Sequence, residues 1–308
     1  MISRVNRVLK DPGRALTYVD RRFGRDVLDG STHLSSSVAG SLAIRRAQLL
    51  SDSSPRYSSH PAAEKLKRTG IAEVGQLYDD ELVERIATQF DEIIEDEHTF
   101  TSGTGEKDYR FGIYTSDVNV FELVPEVKEL LNESLEEILY AYYGTWFKPV
   151  SIRMWRNKHV PPEVVEEHEA FSNYWHVDPH TTDHVKMFMY LSDVTEDHGP
   201  FHAVTSQESQ QITRNYERST DGVPNGRVQR EADDIFKFTG PAGSVAFCNT
   251  NTNLHRAGVP AEGNVRDVVQ FMFAPMSEPL PDDWHEDPWG TFEDVENTKG
   301  LVKRLSAY

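Results

Sequence analysis

Trp175-His176-Val177-Asp178, with the run Val185-Lys186-Met187-Phe188-Met189-Tyr190-Leu191 close behind it, decides how this chain reads. Side chains alternate faces on an extended strand, so His176 and Asp178 point the same way and can grip one metal ion together. A second imidazole, His255, arrives from a distant strand, and Arg266 follows it. Two histidines and one carboxylate on one side of an ion leave the opposite positions open, which suits a non-haem Fe(II) that binds a co-substrate and dioxygen at once. Arg266 then offers a fixed cation to an anionic co-substrate.

A His-x-Asp pair alone carries little weight: 12 His and 23 Asp in 308 residues make about one such pair expected by chance. A second one exists, His285-Glu286-Asp287, set among Pro281, Asp282, Asp283 and Pro288, and reads as a solvated loop. The first precedes an apolar run of strand character. That context separates the two.

From Trp175 to Pro275 the chain resembles the phytanoyl-CoA dioxygenase-like branch of the Fe(II)/2-oxoglutarate-dependent oxygenases. The resemblance lies in Trp175-His176-Val177-Asp178; in Tyr190-Leu191-Ser192-Asp193-Val194 with Gly199-Pro200; and in Gly243-Ser244-Val245-Ala246-Phe247 leading to His255-Arg256-Ala257-Gly258. Arg266 opening the strand Val268 to Phe273 completes it. This ordered set spans roughly a third of the chain and is far more specific than any one piece. It implies a double-stranded β-helix (jelly roll, cupin-like), mainly β with supporting helices. His176, Asp178 and His255 are by resemblance the iron ligands, and Arg266 holds the distal carboxylate of 2-oxoglutarate. The implied activity is hydroxylation of a small molecule, with dioxygen as the other co-substrate and decarboxylation of 2-oxoglutarate to succinate. Members that halogenate lack the carboxylate ligand, so Asp178 favours hydroxylation, although desaturation or ring closure use the same ligands. The chain departs from the family at Thr205-Ser206-Gln207-Glu208, where Pro-Gly-Ser-His is common. That bears on substrate rather than metal.

Composition sets outer bounds. A net charge of −18 opposes a nucleic-acid partner through the mean field. The single Cys248 leaves no internal disulfide framework and fits a reducing compartment; it reads as a small core residue on a strand. No stretch reaches the roughly 20 apolar residues of a membrane span, and the N-terminus lacks the apolar run of a signal peptide. The expected location is cytoplasmic.

Residues 1–28 carry seven basic against three acidic side chains, a net of +4 that leaves −22 for the remainder. Val5, Val8 and Leu9, then Leu16, Val19 and Phe23, recur at helical spacing around the break Asp11-Pro12-Gly13. Two short basic amphipathic helices follow, suited to weak contact with an anionic membrane surface or a partner, or to packing on the chain's own acidic body. With the Ser-rich stretch Ser31 to Ser59, residues 1–60 read as an extension and linker. Residues 61–308 read as the jelly-roll domain, with helical support over 61–145 and a lid loop over 207–234 that selects substrate.

Within the support, helices are expected from Ala62 to Leu66, after Asp79-Asp80-Glu81 with Leu82, Ile86 and Phe90 on one face, and from Pro125 to Gly144. Strands are expected at Val150 to Trp155, Val185 to Leu191, Phe236 to Thr239, Ser244 to Phe247 and Val268 to Phe273.

Around the site, Asn249, Asn251 and Asn253 precede His255 at two-residue steps, so they line the pocket if the stretch is extended and form a turn if it is not. Arg266 lies eleven residues past His255, room for adjacent antiparallel strands to bring it towards the metal. Arg153, Trp155 and Asn157 alternate on a strand beside the site, and Arg153 and Asn157 are further candidates for 2-oxoglutarate contact. Trp175 reads as packing for the cavity wall. His176, Asp178 and His180 also form a His-x-Asp-x-His run that, with His255, could clasp zinc as a hydrolase, although Pro179 ends the strand and turns His180 away. His159, His168, His184, His198 and His202 default to surface or satisfied polar positions. A non-catalytic jelly-roll binding protein is the remaining alternative.

Overall fold

A computed structural model describes residues 44–45, 48–49, 59–95, 110–114, 119–167, 173–178, 184–213, 222–276, 278–282 and 284–285. The expected basic helices at 1–28, His168, His180 and the Glu286-Asp287 pair lie outside them.

The chain begins its described body with α1 (Pro61–Thr69), β1 (Ile71–Gln76) and α2 (Asp80–Glu95). The Asp79 carboxylate accepts from the Leu82 N–H at 2.7 Å and caps α2, whose residues Leu82, Ile86, Phe90 and Ile94 then fall on one buried face. After β2 (Arg110–Tyr114) and the short α3 (Val120–Leu123), the helix expected from Pro125 to Gly144 is two pieces, a 3₁₀ helix Pro125–Leu130 and α4 (Glu133–Tyr143). Asn132 is the cause: its side chain accepts from the Leu135 N–H at 3.0 Å, a cap role that Asn prefers to a helix interior.

β3 (Trp146–Lys158), α5 (Pro162–Glu167), β4 (Val185–Tyr190) and β5 (Phe201–Ala203) follow. Then come α6 (Ser206–Thr213), α7 (Asn225–Glu231), β6 (Phe236–Phe238), β7 (Ser244–Cys248), β8 (His255–Ala257) and β9 (Val265–Met276). The larger sheet has the order β1-β7-β4-β9-β3-β2 and the smaller β6-β5-β8, every pair antiparallel. Together they form the jelly roll.

Alternation explains the layering. On β9, Val269, Phe271 and Phe273 face the helices and pack with Phe90, Leu135, Ile138, Met187 and Phe247. The intervening residues Arg266, Val268, Gln270 and Met272 therefore face the smaller sheet. Phe188, Tyr190 and Val268 meet Phe201, Phe238 and Ala203 there, and the Tyr190 hydroxyl donates to the Phe238 carbonyl at 2.7 Å, tying the two sheets together. Close backbone approach holds one end: a Cβ on Gly199 would lie 2.4 Å from the Val259 carbonyl carbon, which explains the glycine of the Gly199-Pro200 turn.

The stretch 207–234, read as a loop, contains most of α6 and all of α7. Their apolar residues Ile212 and Val228 pack with Trp175, Val204, Val223 and Leu254. Amphipathic helices there were hidden by a low apolar content, since each offers one or two core residues only.

Candidate metal centre

The smaller sheet brings the two histidines together. His176 forms a bridge with His255: each N–H donates to the other's carbonyl, at 3.0 and 2.9 Å. Residues directly opposite in an antiparallel pair point to the same face. Their ring centroids are accordingly 4.3 Å apart. Asp178, two residues on from His176, shares that face, and its N–H donates to the Thr250 carbonyl at 2.9 Å.

The ligating atoms converge. Asp178 Oδ1 lies 3.8 Å from His176 Nε2, and Asp178 Oδ2 lies 3.8 Å from His255 Nε2. An ion bonded to two such atoms at about 2.1 Å can span roughly 4.2 Å, so both approaches are within its reach. Among the described residues these three form the one cluster of His, Cys, Asp or Glu with metal-holding geometry.

Tautomer and charge suit a metal. His176 Nδ1 lies 2.8 Å from the Tyr174 carbonyl and His255 Nδ1 lies 3.0 Å from the Asn253 carbonyl. A carbonyl only accepts, so each Nδ1 carries the proton and each Nε2 turns its lone pair inward. Burial, then the neighbouring His176, push His255 down to about 3, so its imidazole is neutral at physiological pH. Burial works against ionisation of Asp178, but the Lys186 ammonium, His255 and hydrogen bonds from Lys186 and Thr250 outweigh it and hold the carboxyl well below the usual range. Two neutral imidazoles and an ionised carboxylate are the donor set that a divalent transition metal requires.

Arg266 enters from the other sheet. The expectation of adjacent strands fails here: His255 is on β8 of the smaller sheet and Arg266 on β9 of the larger. The ten intervening residues cross between sheets, which spacing alone cannot distinguish from a hairpin. Arg266 is 2% exposed, and its Nη2 donates to Asn157 Oδ1 at 2.8 Å. The Trp155 indole N–H donates to the same oxygen at 2.9 Å. Asn157 stands opposite Arg266 in the β3–β9 register, whereas Arg153 stands opposite Gln270, about 13 Å further along the strand. Arg153 shares the interior face without joining the Arg266 group.

The inner face of β4 orders the interior from one end to the other. Lys186 meets Asp178; Phe188 stacks on Phe201, whose ring lies 5.7 Å from that of His255; Tyr190 lies within the field of Arg266. A polar centre at one end and a buried guanidinium at the other are thus separated by aromatic walls.

Asn249, Asn251 and Asn253 do not line the pocket as a strand would. They form a tight turn, in which the Asn251 N–H donates to Asn249 Oδ1 at 3.2 Å. Asn253 donates from Nδ2 to the carbonyls of Thr69 and Val204, at 2.8 and 2.9 Å, passing so close to Gly70 that a Cβ there would lie 2.0 Å from Asn253 Oδ1. Asn253→Ala should therefore lower stability by about 1–3 kcal/mol, two carbonyls losing their donor, while Mn(II) affinity holds. Denaturant melts and metal titration check the pair of outcomes, and the reverse pattern would restore a pocket role.

Trp175 packs behind the site as expected, buried at 1% exposure with its indole N–H on Asn225 and the Arg256 guanidinium 5.3 Å from its ring centre. His202 is buried beside it, accepting from Arg256 Nε at 3.0 Å; burial, then Arg256, push it down to about 3. Cys248 is a buried strand thiol, and burial raises its pKa. Sequence reasoning missed Lys186 and Thr250. The signal for Lys186 was present: a lysine inside an otherwise apolar run whose six strand positions are all buried.

No protein-family model and no curated protein matches this sequence. Solved structures do match in fold. EctD from S. alaskensis, with 2-oxoglutarate and 5-hydroxyectoine, superposes with a TM-score of 0.55 at 14% identity over 76% of this chain and 86% of that one. The non-heme alpha-ketoglutarate-dependent carbocyclase SnoK from nogalamycin biosynthesis gives 0.53 at 15%, over 75% and 90%. The epimerase SnoN, in complex with Fe3+, alpha-ketoglutarate and nogalamycin RO, gives 0.53 at 13%, over 76% and 91%. The fold is one shared by 2-oxoglutarate-dependent enzymes of several reaction types. Among the described residues, no helix is long and apolar enough to cross a membrane.

Proposed function

We propose that this chain is an Fe(II)/2-oxoglutarate-dependent dioxygenase that hydroxylates a small molecule. One observation carries the reading: His176, neutral His255 and ionised Asp178 converge on one side of a buried interior whose far end holds Arg266. In this reading His176, Asp178 and His255 hold the iron. Bound iron supplies oxidation of a substrate C–H bond by dioxygen, coupled to decarboxylation of 2-oxoglutarate to succinate.

The chain's own residues bind and orient. Arg266 pairs with the distal carboxylate of 2-oxoglutarate, and Asn157 fixes the guanidinium by its 2.8 Å hydrogen bond. Phe188, Phe201 and Trp155 line the path between and exclude water, which strengthens each charge interaction inside. Arg153 stands opposite Gln270, level with Phe188 and between the metal ligands and Arg266, and is assigned a polar contact to the co-substrate or to the substrate beside it.

Epimerase and carbocyclase activities, as borne by SnoN and SnoK, occur on the same fold. The retained carboxylate ligand Asp178 favours hydroxylation over halogenation, whereas epimerisation and ring closure use the same three ligands, so the identity of the product separates these outcomes. We assign the substrate-facing role to residues 207–234, the catalytic unit to residues 61–308, and a separate role to residues 1–28. A cytoplasmic setting suits both an Fe(II) site and the buried thiol of Cys248.

Anaerobic titration with Fe(II) and 2-oxoglutarate, followed by aerobic screening of small molecules for succinate release, tests the reading. Succinate formed in step with a hydroxylated product is the expected result. Zinc-dependent hydrolysis without succinate would replace it with the zinc hydrolase, and co-substrate binding without any turnover would favour a binding protein.

A further inference from the structure

We propose that Lys186 couples the two ligands of this site by charge: its ammonium weakens the hold on a divalent ion when no anion is present and strengthens the hold on the anionic co-substrate. Each ligand then binds well only with the other. The inference rests on the oxygenase reading above.

Lys186 sits between Val185 and Met187, which face the helices, so its own side chain enters the interior. In register it stands beside Cys248 on β7 and Met272 on β9, and it is 9% exposed. Its Nζ donates to Asp178 Oδ2 at 2.6 Å, the same oxygen that lies 3.8 Å from His255 Nε2. The ammonium is therefore inside the donor cluster and not at its rim.

A lysine is not required to aim this carboxylate. The Asp178 backbone is already fixed by Thr250, whose carbonyl accepts its N–H at 2.9 Å, so the strand itself aims this carboxylate into the site. What Lys186 adds is charge. Two neutral imidazoles and a carboxylate would offer a divalent ion a net negative site; with Lys186 the same group of residues is neutral. The buried guanidinium of Arg266 adds a further cation across the interior. In a dry cavity such like charges repel strongly, and the repulsion is relieved when a dianion arrives. By linkage, whatever factor the anion adds to metal affinity, the metal adds to anion affinity.

Mn(II) is a suitable probe, its free ion read by electron paramagnetic resonance, with and without 2-oxoglutarate. Lys186→Gln and Lys186→Met should each bind Mn(II) alone at least about tenfold tighter than wild type, and the tightening that 2-oxoglutarate brings should shrink. Lys186→Arg, which keeps the charge, should behave as wild type. Lys186→Gln retains a hydrogen-bond donor and so separates charge from simple positioning, and it also serves if the methionine variant does not fold. Glutamine and arginine variants that both match wild type, or a weaker hold on Mn(II) in the glutamine variant, overturn the proposal while wild-type binding of both ligands leaves the oxygenase reading intact. A wild type that takes up neither ligand overturns both.

Discussion

His255→Ala should abolish binding of a divalent metal, weakening it by more than about a hundredfold, and take 2-oxoglutarate turnover with it. Even a partner that only orients a ligand is worth roughly 10- to 100-fold in affinity, so loss of a ligand itself exceeds that range. The two residues left, His176 and Asp178, cannot enclose an ion on three sides. His176→Ala should act alike, because His176 and His255 enter as a backbone-paired unit. His255→Ala also opens space beside Phe201 and strips the Asn253 carbonyl of its donor, so circular dichroism must accompany the metal titration. A folded His255→Ala protein that still takes up one equivalent of Mn(II) with wild-type affinity would remove His255 from the site.

The pairing behind that prediction is the part of the site that local pattern could not supply. His176 and Asp178 were legible because a period of two places them on one face wherever the chain is extended. The partner His255 lies in a strand of three residues, His255–Ala257, too short for any periodicity to register. β5, Phe201–Ala203, escaped for the same reason, and β1 is interrupted by Gly75 and a register shift between Glu73 and Gly75. Long strands such as β3 and β9 were recognised at their centres but run three to four residues further at most ends, since tertiary pairing extends them past where propensity fades.

One alternative left open and one misreading share a cause. Asn249, Asn251 and Asn253 recur at alternating positions as a strand requires, and Asn132 sits within a helical stripe as a longer helix requires. In both places the short polar side chain bonds to nearby backbone instead, making a turn in one case and a cap in the other. Spacing states which faces could form; residue chemistry decides whether the backbone continues. Lys186 inverts the lesson, for its chemistry conflicts with its apolar run, and the conflict marks the site.

Arg266→Ala should weaken 2-oxoglutarate by about 2–5 kcal/mol, roughly 30- to 4,000-fold, and leave Mn(II) affinity in the absence of co-substrate unchanged or slightly tighter. The magnitude follows from burial: at 2% exposure the guanidinium meets its anion away from water, where a charge pair is neither screened nor replaced by solvent. The sign on the metal follows from position, because Arg266 stands on β9 across the interior from the ligands and repels a cation rather than holding it. Arg266→Lys should recover only part of the loss, since an ammonium keeps the charge but cannot form the paired N–H contacts that a carboxylate accepts, and it gives up the planar fork that Asn157 orients. Asn157→Ala should then fall between wild type and Arg266→Lys, loosening the guanidinium without removing it. Isothermal titration of the Mn(II)-loaded variants with 2-oxoglutarate measures all three. Unchanged co-substrate affinity in a folded Arg266→Ala protein would make the buried Arg266–Asn157 pair a structural element of the β3–β9 ladder and move the anion site elsewhere in the interior.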